Sequence, residues 1–315
     1  MLVGRADSCD EVILTQRCEM AEKFYQIRTH CSDCFEVMID GVATMVRARG
    51  KLKRNEILVG DYVAIQEEGG EKIITSIQPR KSELIRPSVA NVDLIVLLVA
   101  PIPKADLYLV DKMIINCKQA KIDCVICQNK TDVDEMTDLL DQYGKDVTAV
   151  VKVSAKNNDI QELLPYLKGK LVCFAGQSAV GKSTLSNAII GDVIQKTGEI
   201  SEKIERGKNT TTSARIISGD GFDFIDTPGF SMLDAMETDS NALAGYYEEY
   251  VELSNKCKFH PCTHTLEPSC AIKLAVENGE LNKERYCRYV KIYEEKKQIE
   301  KNKRRKEKWQ NQQQK

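Results

Sequence analysis

Gly176-Gln-Ser-Ala-Val-Gly181-Lys182-Ser183-Thr184 is the stretch that decides the fold of this chain. It matches the pattern G-x-x-x-x-G-K-[ST], in which backbone N–H groups cradle a phosphate at the N-terminus of a helix. The apolar residues 171–175 predict a buried strand before it, and residues 185–190 predict the opening turns of a helix that Gly191 would end. A phosphate-binding loop between a strand and a helix is therefore expected.

The residue types in this stretch suit the chemistry of a bound nucleotide. Gly176 and Gly181 let the backbone bend so that successive N–H groups point into one concavity. Lys182 can reach the β- and γ-phosphates, and the Ser183 hydroxyl can ligate Mg²⁺. The candidate nucleotide-binding residues of the loop are Gly176, Gln177, Ser178, Ala179, Val180, Gly181, Lys182, Ser183 and Thr184.

The composition is that of a soluble globular protein large enough for two or three domains. The chain has 315 residues, of which 29% are charged and 42% hydrophobic, and its formal net charge is −2. That overall balance does not by itself predict a nucleic-acid partner. No apolar run approaches the roughly 20 residues of a membrane span, and the N-terminus lacks the pattern of a secretory signal. We therefore expect no membrane association, a cytoplasmic location and reduced thiols.

The first eighty residues predict a small β-barrel. Turn signals at Asp40-Gly41, Gly60-Asp61 and Gly69-Gly70 separate about five short strands. The predicted strands lie at residues 24–28, 34–39, 42–47, 61–65 and 72–77. This arrangement favours an OB-fold-like barrel, a fold that often binds oligonucleotides.

A basic loop and a cysteine pair lie in the same region. Residues 47–54 carry five positive charges, either as a solvated hairpin or as a contact to a phosphate backbone. His30, Cys31 and Cys34 place a Cys-x-x-Cys beside a third candidate ligand, but a closed zinc site needs four. The pair is interpreted as structural or incidental.

From Pro87 onward the pattern changes to alternating strands and helices. Continuous apolar runs predict strands buried on both faces, and helical periodicity predicts helices over residues 106–121 and 160–167. The predicted strands lie at residues 93–99, 122–127, 147–153, 171–175, 214–217 and 221–225. This alternation indicates a mostly parallel sheet of about six strands with helices on both sides.

Two short polar motifs follow strands of this sheet, at the edge where open α/β sheets bind ligands. Asn129-Lys130-Thr-Asp132 resembles the guanine-specificity motif of GTPases, in which Asp132 would accept from the N1–H and the exocyclic amine of guanine. In that resemblance Lys130 lies over the ring and Asn129 braces the loop. Ser154-Ala155-Lys156 resembles the companion motif, whose backbone N–H contacts guanine O6. The predicted ligand is therefore GTP or GDP.

Two further segments resemble the phosphate-sensing parts of GTPases. Asp226-Thr-Pro-Gly229 follows a predicted strand, and the resemblance implies that Asp226 holds Mg²⁺ through water and that Gly229 donates to the γ-phosphate. Residues 210–212 supply the expected switch threonine, with Thr211 favoured as the Mg²⁺ contact and a merely polar loop as the alternative. The candidate catalytic residues are Lys182, Thr211, Asp226 and Gly229.

The order of these motifs is unusual. Ordinary GTPases run phosphate loop, switch threonine, Asp-x-x-Gly, Asn-Lys-x-Asp and Ser-Ala-Lys, whereas here the base-reading motifs precede the phosphate loop. The chain is therefore expected to be circularly permuted, with the same three-dimensional site and new termini. Phe230 stands where many GTPases place a water-orienting glutamine, so slow intrinsic hydrolysis is expected.

A crowded cysteine and histidine segment lies over residues 257–270. Four of its side chains would give Zn²⁺ three thiolates and one imidazole, a tetrahedral structural set with no open position. The spacing differs from the common finger pattern, so His260 remains an alternative ligand. Free structural cysteines remain the alternative to a metal site. Helices are predicted over residues 241–253 and 271–278. The candidate zinc ligands are Cys257, Cys262, His264 and Cys270.

The C-terminal run is strongly basic. Residues 283–308 carry twelve Lys or Arg side chains against five Glu, with tyrosines interleaved. A solvated helix end is one explanation, and a basic helix or tail that binds an RNA backbone is the other. With the basic loop at residues 47–54, RNA is favoured.

Together these features resemble the ribosome small-subunit-dependent GTPase A family, a bacterial family of circularly permuted GTPases. The barrel, the order of the motifs and the zinc segment carry the resemblance, over roughly residues 24–295. It implies a multidomain α/β protein: an OB-fold-like RNA-binding barrel (1–80), a circularly permuted P-loop GTPase domain (81–235) and a helical zinc-binding domain with a basic tail (236–315). Asn209 stands where the family usually has a histidine.

The resemblance also implies a function. It is that of a monomeric GTPase that binds the small ribosomal subunit and its rRNA, hydrolyses GTP to GDP and phosphate when that subunit stimulates it, and assists late maturation. The implied cofactors are GTP or GDP, Mg²⁺ and Zn²⁺. Two other functions stay open: a GTP-dependent RNA-binding assembly switch with negligible turnover, and a permuted GTPase that acts on the large subunit or on tRNA.

Overall fold

The structure is a computed structural model that describes residues 23–31, 33–49, 56–85, 87–197, 214–219, 221–226 and 238–313. Within that part of the chain, no helix has both the length and the apolar character that crossing a bilayer requires. Several predicted features lie outside the described residues: Asn209, Thr210, Thr211, Thr212, Gly229 and Phe230, and the basic positions Lys51, Lys53 and Arg54.

Five strands near the N-terminus form a barrel: β1 (Phe24–His30), β2 (Phe35–Ile39), β3 (Val42–Ala48), β4 (Tyr62–Glu68) and β5 (Glu71–Ile77). They pair in the order β1-β2-β3-β5-β4, and β4 pairs back onto β1. Alternate side chains fill the interior, where Ile27, Val37 and Ile74 are fully buried. The predicted OB-fold-like barrel of five short strands is confirmed.

A short hairpin connects the barrel to the rest of the chain. Its strands β6 (Glu83–Leu84) and β7 (Val89–Ala90) pair antiparallel. Gly60 packs against it with φ +96, and a Cβ at that position would lie 2.0 Å from the carbonyl oxygen of Ala90. Only glycine fits there, because a side chain would collide with the backbone of β7.

Six further strands form the central sheet: β8 (Leu94–Val99), β9 (Asp123–Gln128), β10 (Ala149–Lys152), β11 (Leu171–Gly176), β12 (Arg215–Ser218) and β13 (Asp223–Asp226). They lie in the order β10-β9-β8-β11-β13-β12, and all are parallel except β12. The strand order reverses between β8 and β11, which is where open α/β sheets bind ligands. The predicted, mostly parallel sheet of six strands is confirmed.

Helices cover this sheet on both faces: α1 (Leu107–Ala120), α2 (Leu139–Tyr143), α3 (Leu164–Leu167) and α4 (Lys182–Thr197). Side chains alternate along β8, so that Ile95 and Leu97 face one buried cluster while Leu94 and Val96 face the other. The predicted helix over residues 106–121 is confirmed as α1. The Asp106 side chain caps its first turn by accepting from two backbone N–H groups.

Two other helices of this region differ from the prediction. Residues 160–167 are helical only over α3, because Pro165 lacks the N–H that a longer helix would need there. The helix after the phosphate loop does not end at Gly191 but continues to Thr197. A single glycine costs a helix only about 1 kcal/mol, which neighbouring turns can offset.

A strand pair joins the barrel to the central sheet. Thr29 of β1 pairs antiparallel with Arg215 of β12. Arg28 donates to the Ser218 hydroxyl over 2.8 Å and forms a 3.3 Å ion pair with Asp223. The barrel is thereby hydrogen-bonded to the strand that lies beside Asp226.

The C-terminal region is helical: a 3₁₀ helix (Ser240–Tyr246), α5 (Glu248–Ser254), α6 (Ala271–Glu277) and α7 (Lys283–Gln313). The continuous helix predicted over residues 241–253 is wrong, because Tyr247 breaks it with an extended backbone. The buried Tyr247 ring stacks on Tyr250 and meets Tyr289 of α7 edge to face, so packing decides this conformation.

A buried ion-pair network fixes α7 against the central domain. The Arg285 guanidinium, 5% exposed, donates to Asp111 of α1 over 3.3 Å and to Asp146 over 2.6 Å. It also stacks over the rings of Tyr143 and Tyr247. Burial raises the pKa of Asp111; at Asp146 the same burial is outweighed by Arg285 and Lys118, which lower the pKa.

Replacement of Arg285 by methionine is expected to lower the free energy of unfolding by about 3–5 kcal/mol, because two buried carboxylates each lose one of their two cationic partners. Urea unfolding followed by circular dichroism measures the change. The matched control is Lys283→Met, at an exposed position of the same helix turn. Equal unfolding midpoints for the two variants would show that the network does not hold α7 in place.

Candidate functional site

The candidate phosphate loop runs from the end of β11 into α4, as predicted. Gly176 has φ +144, and a Cβ there would lie 2.4 Å from the carbonyl oxygen of Leu98. Gly181 has φ +97, and a Cβ there would lie 2.4 Å from Nδ2 of Asn129. Both glycines are required because the loop passes directly over the ends of neighbouring strands.

The lysine of the loop is held over its backbone. Lys182 donates from Nζ to the carbonyl oxygens of Gly176 and Gln177, each over 2.7 Å. Burial lowers the pKa of Lys182. Ser183 and Thr184 follow in the exposed first turn of α4, where backbone N–H groups have no partner within the helix. This arrangement can bind an anion at the helix N-terminus.

The Asn129 side chain connects three loops. It is 2% exposed, donates from Nδ2 to the carbonyl oxygen of Val180 over 2.9 Å, and accepts from the backbone N–H of Ala155 over 3.0 Å. The phosphate loop and the two predicted base-reading motifs are therefore brought together at one edge of the sheet.

The Asp132 carboxylate is oriented by the second base-reading motif. Ser154 donates from its hydroxyl to Asp132 Oδ1 over 2.7 Å, and Lys156 Nζ lies 4.0 Å from Oδ2. The Ser154 hydrogen bond is the main cause of a lowered pKa at Asp132. The group therefore stays an ionised acceptor at neutral pH, which suits the two adjacent donors of guanine.

The conformation of Ala179 and the contacts that support it were not predicted. Ala179 adopts a left-handed backbone with φ +63, a conformation that is uncommon for any residue but glycine. Lys130 donates from Nζ to the carbonyl oxygens of Ala179 and Ile102, each over 2.8 Å, and so braces this residue. The loop that contains Ile102 follows β8. Its position at the carboxyl end of a parallel strand could have indicated from the sequence that it belongs to the site.

The same loop also contacts the phosphate loop directly. The backbone N–H of Asp106, the N-cap of α1, donates to Gln177 Oε1 over 3.0 Å. A sequence pattern does not reveal this contact, because the two residues belong to different strand–helix units.

The predicted magnesium ligands are only partly brought together. Asp226 ends β13 at the same sheet edge, and its carboxylate pairs with Arg215 of β12 at 3.4 Å. Within the described residues, no hydrogen bond joins Asp226 to Ser183. Thr211 and Gly229 lie outside them. The Arg215 contact was not predicted, since it depends on the cross-strand register.

The candidate zinc ligands converge on one point. Their ligand atoms, from Cys257, Cys262, His264 and Cys270, all lie within 4.8 Å of one another. The sulfur atoms of Cys257 and Cys270 are 3.9 Å apart, close to the edge of about 3.8 Å that zinc–sulfur bonds of about 2.3 Å give a tetrahedron. His260 is exposed and does not belong to this cluster, so the geometry favours His264.

The environment of the cluster suits a dication. Burial raises the pKa of the Cys262 thiol to about 12 and lowers the pKa of His264. A neutral imidazole is the form that ligates zinc, and a bound dication is what would hold buried thiols as thiolates. Since all four groups point inward and leave no open position, a metal here would be structural.

The loop that carries His264 is held from two sides. Tyr286 and Tyr289 of α7 donate their hydroxyls to the carbonyl oxygens of His264 and Thr263. Glu267 accepts from the Thr263 hydroxyl and from the backbone N–H of Thr263 and of Thr265. Although burial opposes it, these bonds lower the pKa of Glu267 to about 2. These contacts hold the loop in addition to the cluster of ligands that it presents.

Two family models match this chain. The model described as RsgA GTPase matches residues 77–236, and the model described as 50S ribosome-binding GTPase matches residues 171–307. The first covers the central sheet with its base-reading motifs and the phosphate loop. The second begins at the strand before the phosphate loop and extends into α7.

Curated relatives match over most of the chain. A protein named small ribosomal subunit biogenesis GTPase RsgA, from Caldanaerobacter subterraneus subsp. tengcongensis, is 40% identical over 264 residues, which are 81% of this chain and 89% of the relative. The protein of the same name from Thermotoga petrophila is 38% identical over 81% of this chain and 90% of its own length.

Two solved structures share the architecture. YjeQ from Thermotoga maritima is 33% identical, with a TM-score of 0.72 over 87% of this chain and 98% of its own. YloQ, described as a circularly permuted GTPase, is 30% identical, with a TM-score of 0.69 over 90% of this chain and 98% of its own.

Replacement of Asp132 by asparagine is expected to weaken GDP binding by about 100-fold or more, because two charge-assisted hydrogen bonds of about 1.5–3 kcal/mol each are lost. Xanthosine diphosphate carries a carbonyl where guanine has its amine, so the introduced side-chain amide is expected to recover binding of that nucleotide. Displacement of a fluorescent nucleotide measures both affinities. Asp134→Asn, an equal charge change at an exposed position of the same loop, is the control. Equal losses in the two variants would contradict the assignment.

The purified protein is expected to carry zinc at about one ion per chain. His264→Ala is expected to lose most of that zinc and to melt at a lower temperature, since a structural zinc contributes folding free energy. His260→Ala is the matched control and is expected to keep both. Metal content by mass spectrometry and thermal melting provide the measurements. Loss of zinc from the His260 variant instead would reassign the ligand.

Proposed function

We propose, because this chain belongs to the RsgA GTPase family, that it acts on the small ribosomal subunit during assembly of that particle. Family membership makes the chain a circularly permuted GTP hydrolase that binds guanine nucleotides. The observation that carries the proposal is the 40% identity over 81% of the chain to a relative named for small ribosomal subunit biogenesis. Hydrolysis to GDP and phosphate would be stimulated by the subunit.

The proposed nucleotide contacts follow the predicted motifs. Asp132 and Lys130 would read the guanine, with Ser154 holding Asp132 and Ala155 near O6. The backbone of the phosphate loop, residues 176–184, would cradle the β-phosphate at the start of α4, with Lys182 reaching toward the γ-phosphate. The proposed remaining contacts to Mg²⁺ and the γ-phosphate are Ser183, Thr211, Asp226 and Gly229.

Magnesium would neutralise charge that develops on the phosphates. This chain's own residues would hold it: two hydroxyls and the carboxylate of Asp226, which are oxygen ligands of the kind Mg²⁺ prefers. The Asp226 carboxylate would exchange its pairing with Arg215 for that role. Arg215 would then be left beside the nucleotide site on the strand that the barrel contacts.

The roles of the three domains are also proposed. The barrel (1–80) and the zinc-binding region (236–315) would contact rRNA on either side of the GTPase domain (81–235). Zn²⁺ at the cysteine cluster would keep the C-terminal region folded without taking part in hydrolysis. Such a protein would act in the cytoplasm as a monomer.

The large ribosomal subunit is the second candidate partner. The observation in its favour is the match of residues 171–307 to the model described as 50S ribosome-binding GTPase. The small subunit is preferred because the matches to relatives named for it extend over four-fifths of the chain.

GTP hydrolysis is expected to rise at least tenfold when purified small subunits are added, which needs about 1.4 kcal/mol of extra transition-state stabilisation. Large subunits are expected to give no such increase. Phosphate release is the measurement, and Lys182→Ala, which removes the proposed γ-phosphate contact, controls for contaminating GTPases. Stimulation by large subunits alone would overturn the preferred partner, and no stimulation by either would overturn the ribosomal proposal.

A further inference from the structure

A cavity of 540 Å³ lies between the C-terminal half of α7 and the 3₁₀ helix that begins at Ser240. Ser240 and Asn241 line one side. Four basic side chains of α7 line the other, Lys297, Lys301, Arg304 and Arg305. All four belong to the basic run of residues 283–308, for which the sequence favours an RNA partner without indicating where on the helix it would bind.

The basic side chains that line the cavity outnumber its acidic ones four to one. Lys297, Lys301 and Arg305 recur every four residues and so share one face of α7, where like charges repel. Among the residues that the structure describes, no carboxylate forms an ion pair with Lys301, Arg304 or Arg305. Lys112 and Lys145, by contrast, pair with Glu295 and Glu252.

The acidic residue of the cavity is occupied elsewhere. Glu300 precedes Arg304 by four residues, a spacing that normally allows a helical ion pair. Its carboxylate instead accepts from the backbone N–H of Ser240 over 2.6 Å and from the Ser240 hydroxyl over 3.0 Å. Glu300 thus anchors the start of the 3₁₀ helix at Ser240, and it supplies only one negative charge against the four cations of the cavity.

We propose that this cavity binds successive phosphates of an RNA backbone. Converging cations are unfavourable unless an anion lies among them, and guanidinium forks match phosphate oxygens in pairs. The charged row from Lys297 to Arg305 rises about 12 Å along α7, longer than one phosphate group, which suits a polymer. The inference rests on the proposed function, because it names where on α7 that function's RNA would bind.

The test compares two variants that remove equal charge from the same helix. Lys297→Gln with Lys301→Gln alters the cavity, whereas Lys303→Gln with Lys306→Gln alters lysines that do not line it. Glutamine is chosen because its helix propensity is close to that of lysine. Because Lys297 also donates to the Tyr293 hydroxyl, Lys301→Gln alone is a third variant that leaves this bond intact. Thermal melting checks that all three fold.

Binding of fluorescein-labelled polyuridylate is measured by anisotropy over a series of salt concentrations. Loss of two phosphate contacts is expected to reduce the slope of log K against log salt by about 1.4, and loss of one by about 0.7. The Lys303 and Lys306 variant is expected to keep most of the wild-type slope. Equal reductions in both double variants would overturn the proposal, since they would indicate diffuse attraction by the whole helix.

Two further measurements are needed. The first distinguishes an RNA backbone from a small polyanion as the ligand, and the second distinguishes failure of the cavity proposal from failure of the proposed function. Inorganic tripolyphosphate that competes only at concentrations far above those of RNA supports a backbone site, whereas equal potency would overturn it in favour of a small polyanion. Stimulation of GTP hydrolysis is then titrated with small subunits. If the wild type is stimulated and both double variants need the same subunit concentration, the cavity proposal falls alone. If the wild type is not stimulated, the proposed function falls, and the RNA arm still judges the cavity.

Discussion

The geometry of the candidate nucleotide site depends on the side-chain amide of Asn129. This single amide donates to Val180 of the phosphate loop. It also accepts from Ala155 of the second base-reading motif. It is buried, so neither bond competes with water, and loss of either would leave a buried polar group without a partner. Gly181 is confined to glycine by this same amide, because a Cβ would lie 2.4 Å from Nδ2. The Asn129 side chain therefore holds together three loops from different parts of the chain.

Helix α1 connects this site to the C-terminal region. Its N-cap residue, Asp106, donates its backbone N–H to Gln177 of the phosphate loop. Asp111, one turn further along, binds Arg285 of α7 in the buried network. Helix α7 in turn holds the loop of His264 through the Tyr286 hydroxyl. The nucleotide site and the cysteine cluster are thus connected through α1 and α7.

Much of the architecture was predictable because local patterns determine it. The five barrel strands, the six strands of the sheet and helix α1 follow from apolar periodicity and turn residues. The errors had two causes: packing that outweighs local preference, and local signals whose strength was misjudged. Tyr247 breaks a helix because its ring is buried among Tyr250 and Tyr289, and α4 continues through Gly191 because the cost of one glycine is small.

The sequence by itself determined the chemistry of the sites and the order of the motifs, because phosphate, guanine and zinc each require particular residue types at short spacings. It therefore indicated a permuted GTPase and four converging metal ligands, of which His264 and not His260 is brought into the cluster by the fold. Only the tertiary structure decided which distant residues meet: Arg215 with Asp226, Arg285 with Asp111, and Glu300 with Ser240. Those contacts depend on strand register and helix packing, which arise from the whole core and leave no mark in any short stretch of sequence.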